Sequence, residues 1–178
     1  MPHPDPVTAM TDPAESAGLP PLFQPEYLTF LLGGDVYALP IEGIREVVGS
    51  LPITDVPGMP PFLRGVMNVR GAVIPVLDLR ARLGYETAPL TRRSCVLVHE
   101  LRRDSGDVLV GVLVDAVQAV LSADECDVAA EAAEAGSVRA PLPPEYVERA
   151  LMLGGVRTLL LDRALLLSVD DLKQRMLQ

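Results

Sequence analysis

From Glu26 onward the chain is a succession of short apolar runs cut by glycine, proline and polar turn residues, a punctuation that favours many short strands over long helices. Residues 27–32 (YLTFLL) are rich in strand formers, Gly33-Gly34-Asp35 supplies a turn, and residues 36–41 return as the second strand of a hairpin. Residues 42–48 place Ile44, Val47 and Val48 at near-helical spacing, which fits a short helix or an irregular strand. A second hairpin is read at residues 65–69 and 72–77, turning at Arg70-Gly71. Pro75 lacks an N–H, so this return strand is expected at an edge or a bulge. Asp78 suits the N-cap of a helix through Leu83 that Gly84 ends.

The pattern then repeats in kind, without a sequence-level repeat. Residues 94–101 and 108–114 read as strands joined by a polar tip, and residues 116–121 continue the alternation less cleanly. The span 124–134 carries five acids and no base, and reads as a solvated loop or loose helix. Residues 146–153 and 156–161 form another hairpin around Gly154-Gly155, and 169–178 closes the chain as an amphipathic helix with Leu172 and Met176 on one face. The expected fold is therefore all-β: two small barrels, about 26–90 and 91–167, with short helices and a C-terminal helix. Seven of the 17 prolines precede residue 26. Proline fixes φ and donates no hydrogen bond, so residues 1–25 are expected to be a disordered arm.

Charge and composition exclude several functions. With 24 acidic against 15 basic residues the net charge is −9, so the chain lacks the cationic footprint that duplex nucleic acid or an anionic membrane surface requires. The absence of tryptophan and an aromatic share of 4% leave little for stacking on single strands. Two cysteines cannot build a disulfide framework, and neither a signal peptide nor a membrane-spanning run is visible, so a cytoplasmic protein without membrane insertion is expected.

Catalytic constellations are scarce. Cys95 and His99 fall on one face of a single strand, but Cys126 and His3 are distant, so buried strand residues are the simpler reading than a thiol or metal enzyme. Asp78 and Asp115 form an acid pair only in imagination, because a helix cap and a turn aspartate explain them separately. No metal, cofactor or catalytic residue is expected. An acidic, aliphatic, multi-strand body without bond-making groups works through its surfaces.

Residues 65–80, GVMNVRGAVIPVLDLR, resemble the hallmark of the chemotaxis coupling protein CheW family. YALPI (37–41) leading to REV (45–47), and VGVLVDAV (110–117), resemble two further family blocks in the same order, so the resemblance covers about residues 26–172. It implies two SH3-like five-stranded barrels with a hydrophobic groove between them. The family's members are non-catalytic adaptors that bridge the cytoplasmic tips of chemoreceptors to a CheA-type histidine kinase. By resemblance Arg70 is the adaptor's key arginine, positioned by an ion pair with Glu46, with Gly71 permitting positive φ at the hairpin tip. Val47, Val66, Val69 and Val112 are candidates for lining contact surfaces, though strand alternation sends half of any such set into the core. Arg149 and Arg163 depart from the family pattern and call the C-terminal geometry into question. With the acidic span and the arm, they leave open a coupler for a divergent pathway such as surface motility or development.

Overall fold

The computed structural model describes residues 24–49, 52–128, 142–153 and 155–168. The expected arm over 1–25 falls almost entirely outside these residues, as do most of the acidic span and the helix expected over 169–178. Among the described residues there are eleven strands: β1 (Glu26–Leu32), β2 (Asp35–Pro40), β3 (Ile44–Gly49), β4 (Leu63–Val69), β5 (Ala72–Asp78), β6 (Cys95–Leu101), β7 (Val108–Val114), β8 (Ala116–Ser122), β9 (Cys126–Val128), β10 (Val147–Leu153) and β11 (Val156–Leu161). Two one-turn α-helices, α1 (Leu79–Arg82) and α2 (Arg163–Leu166), and two 3-10 turns, at Ala123–Glu125 and Pro144–Tyr146, complete the described elements.

The strands form a six-stranded sheet, ordered β8-β1-β2-β11-β10-β9, and a five-stranded sheet, ordered β3-β6-β7-β5-β4. The mainly β fold with two sheets agrees with expectation. A division into consecutive barrels at about residue 90 does not describe the pairing. β1 and β2 belong with β8 to β11, and the whole five-stranded sheet is inserted between them. Hydrogen bonding explains the discrepancy: Leu159 and Leu160 of β11 pair in parallel with Tyr37 and Ala38, which no local turn signal announces. Among the described residues the chain consequently passes between sheets twice, at residues 41–43 and at Asp115.

Three clusters build the interior, and alternation along β7 shows why. Val110, Val112 and Val114 point into a shared core with Phe30, Tyr37, Leu97 and Leu159 from both sheets. Leu113, one residue out of phase, joins Met67, Val69, Ile74, Val76, Val96 and Val98 inside the five-stranded sheet. Tyr27, Ala38, Leu151, Leu153 and Leu160 fill the six-stranded one. Of the three clusters one is shared between the sheets, and the other two are each confined to a single sheet.

Local readings are corrected in places. Residues 44–49 take the irregular-strand alternative and not the helical one, with a bulge between Ile44 and Glu46. Pro75 sits in β5, between β4 and β7, neither at an edge nor at a bulge. It is tolerated because the ladder to β7 begins only at Val76, so the missing donor is not needed. The start of the acidic span contributes β9, paired with β10. Asp78 does cap α1, its Oδ1 accepting from the N–H groups of Arg80 at 3.0 Å and Ala81 at 3.3 Å.

Thr54 and Val66 exchange backbone hydrogen bonds of 2.8 and 2.9 Å, so the segment after β3 returns to the opposite edge of its own sheet and gives it a barrel-like form. Gly65, at φ +147°, makes this close approach possible: a Cβ there would lie 2.1 Å from the Thr54 carbonyl oxygen. Gly65→Ala is expected to cost roughly 2 kcal/mol, read as a lower urea midpoint with an unchanged m-value. An unshifted midpoint would show that the Thr54 bridge is dispensable.

Candidate functional site

The β4–β5 hairpin turns in two residues between the paired Val69 and Ala72. Arg70 and Gly71 have φ of +50° and +88°, the left-handed pair a type I′ turn requires to match strand twist. Gly71 adopts this conformation freely, whereas Arg70 is the one non-glycine residue with positive φ among the described residues. The side chain of Asn68 steadies the turn by accepting from the Gly71 N–H at 2.9 Å.

The Arg70 guanidinium reaches across to Glu46: Nε donates to Oε1 at 3.0 Å and Nη2 to Oε2 at 3.2 Å. Glu46 lies on β3 and Arg70 at the end of β4, which are the two outer strands of the five-stranded sheet. The fork thus joins opposite edges of one barrel. It also raises the Arg70 pKa, chiefly through the hydrogen bond to the Glu46 carboxylate. The Arg70 side chain is 81% exposed, so the pair is solvent-screened and its contribution is orientation more than stability. Beside it a second exposed pair joins Arg45 to Glu100.

The candidate valines separate by strand phase. Val47 is 42% exposed and Val66 half-buried, so both present surface. Val69 and Val112 are buried, in the five-stranded sheet's own cluster and in the shared core, and are corrected to packing residues. The reading missed Val73, 68% exposed and directly opposite Asn68 on the hairpin. Alternation alone could have found it, since it is out of phase with buried Ile74.

Cys95 and His99 do share β6, but four residues of extended chain separate them by about 13 Å, too far for one metal ion or one proton transfer. Asp78 is occupied by its cap, and Asp115 is held by Arg80, with Nε–Oδ1 at 2.7 Å. Each carboxylate thus has a structural partner of its own. A cleft of about 720 Å³ lies between the β3 and β6 ends and α2, with Glu42, Arg45, Glu100, Arg102 and Arg163 in its lining. Ile44, Leu101, Ala164 and Leu167 supply the apolar part of the same lining. The two divergent arginines are accommodated: Arg163 donates to the Glu42 carbonyl, and Arg149 donates to Tyr27 Oη at 2.7 Å beside a bulge in β10.

A family model described as a CheW-like domain matches residues 26–171. Among curated proteins, the probable chemotaxis protein CheW of Rhizobium etli is 40% identical over 97 residues, covering 54% of this chain and 60% of that protein. Protein PilI of Pseudomonas aeruginosa is 38% identical over 88 residues, covering 49% and 47%. The chain thus spans less than two thirds of the length of either relative. The crystal structure of the scaffolding protein TtCheW from Thermoanaerobacter tengcongensis superposes with a TM-score of 0.65 at 25% identity, covering 83% of this chain and 95% of that one. The family model spans both sheets, every described strand and the Arg70 hairpin, and on that ground the chain belongs to the CheW-like domain family.

Proposed function

We propose that this protein is a non-catalytic cytoplasmic adaptor that couples chemoreceptor tips to a CheA-type histidine kinase. The observation that carries the reading is the Arg70–Glu46 fork. An exposed arginine is held at a hairpin apex, in a backbone region costly for its residue type, where it supports no core. Such an arrangement is a recognition handle. Exposed Val47 and Val73 and half-buried Val66 supply apolar surface on the same sheet, suited to an amphipathic helix or a neighbouring barrel. Holding both partners at once raises their effective concentration and fixes their orientation, which is all the mechanism requires.

Purified receptor cytoplasmic fragment, kinase and this protein are expected to give stimulated kinase autophosphorylation only when all three are mixed. Equal phosphorylation without the adaptor would overturn the proposal. The similarity to protein PilI favours a second reading within the same class, a coupler for a pathway other than swimming chemotaxis. Deleting the gene in its host and scoring swimming against surface motility separates the two.

A further inference from the structure

Two short stretches of backbone are the only covalent links between the sheets among the described residues: residues 41–43, from β2 to β3, and Asp115, from β7 to β8. Each is gripped by an arginine from a distant part of the chain. At Asp115 the Arg80 guanidinium forms a fork, Nε to Oδ1 at 2.7 Å and Nη2 to Oδ2 at 2.5 Å. The same carboxylate accepts from the Gly33 N–H at 2.8 Å, and the Asp115 N–H donates to Leu31 O at 3.1 Å. One aspartate thus joins the crossover, the β1–β2 turn of one sheet and the α1 helix of the other.

At the first crossover Arg163, on α2, donates to the Glu42 carbonyl, while the Gly43 carbonyl accepts from Glu100 N at 2.8 Å. Tyr85, just past α1, reinforces the Asp115 side by donating to Asp35 Oδ2 at 2.9 Å. A link of one to three residues is where a hinge sits in a two-part molecule, because it concentrates any change in backbone angle. Both links carry charge-assisted hydrogen bonds, which are stronger and more directional than neutral ones.

We propose that Arg80 and Arg163 are positioning residues that lock the two crossovers, fixing the angle at which the halves present their surfaces to partners. The proposal rests on the adaptor reading only for its consequence in coupling; the locking itself stands on geometry. Arg80→Lys keeps the charge and loses the planar fork, so it separates orientation from electrostatics.

The test measures the distance distribution between nitroxides at Val108→Cys and Val156→Cys, one on each sheet, in the full chain carrying Cys95→Ser and Cys126→Ser. Arg80→Ala with Arg163→Ala is expected to broaden the distribution roughly twofold, with Arg80→Lys intermediate. In the three-component kinase assay the double variant is expected to lose stimulation about tenfold while each binary affinity stays within about threefold, because simultaneous engagement depends on geometry. An unchanged distribution in the double variant overturns the lock, whatever the kinase assay shows. A broadened distribution with full stimulation overturns its role in coupling. Wild-type protein that binds neither partner sinks the adaptor reading and leaves the distance result to decide the lock. If the double variant does not fold by circular dichroism, the Arg80→Lys and single-alanine distributions decide by the same criterion.

Discussion

Arg70→Asp is expected to reduce stimulated kinase autophosphorylation to the level seen without adaptor, with a thermal midpoint within about 3 °C of wild type. The substitution removes the fork and sets a second carboxylate against Glu46, so the apex presents the opposite charge. The fold should tolerate it. The side chain is exposed, and aspartate enters the left-handed region more readily than most residues, so the turn at φ +50° gains no strain. Arg70→Gly sharpens the comparison, because glycine relieves the backbone while removing the guanidinium. Equal loss of coupling in both variants, with Arg70→Gly at least as stable as wild type, assigns the effect to the side chain. Glu46→Gln should reduce coupling less, since Arg70 stays in place with weaker orientation. Full stimulation by Arg70→Asp would remove Arg70 from the interaction surface and leave the fold untouched.

The second large effect is on stability and comes from His99. It is fully buried on β6, on the face that carries Leu97 and Leu101, and neither ring nitrogen has a hydrogen-bond partner among the described residues. Burial, with a smaller push from the Arg163 guanidinium, lowers its pKa from 6.5 to about 4. The unfolded chain therefore takes up a proton below pH 6.5 that the folded chain refuses until about pH 4, so stability falls across that window as pH falls. The shift corresponds to about 3 kcal/mol. Urea unfolding at several pH values, followed by circular dichroism, should show the wild type losing that much more than His99→Leu between pH 7 and pH 4. Leucine should not itself be costly, because it replaces a polar ring without partners by an apolar side chain of similar size. Parallel pH profiles for the two proteins would rule out the buried neutral imidazole as the source.

Local features were legible because they depend on a few adjacent residues. The hairpins at β1–β2, β4–β5 and β10–β11 follow from alternation and a glycine turn, and Asp78 announces its helix as a carboxylate just ahead of Leu79 and Leu83, with Gly84 to end the turn. The Arg70-Gly71 apex reads directly from its neighbours in the chain, whereas the pairing with Glu46 follows only from the family resemblance. Nothing within β3 says that position 46 faces residue 70. What could not be read was non-local. Arg82 is a case: it lies buried between the rings of Phe62 and Tyr146, 5.6 and 5.1 Å from their centroids, and hydrogen-bonds toward α2. In the sequence it is one more arginine on a short helix.

The amino-acid order alone determined that the chain would be built of short strands, where most of them turn, and that Arg70-Gly71 would stand at an apex. Period-two patterning and positive-φ residues are properties of neighbours in the chain. Only the tertiary structure decided which strands share a sheet, that the five-stranded unit is inserted into the six-stranded one, and that Val69 and Val112 face inward while Val73 faces out. A strand with apolar residues on both faces reads the same whichever face meets solvent, and choosing between its faces requires the partner sheet to be in place.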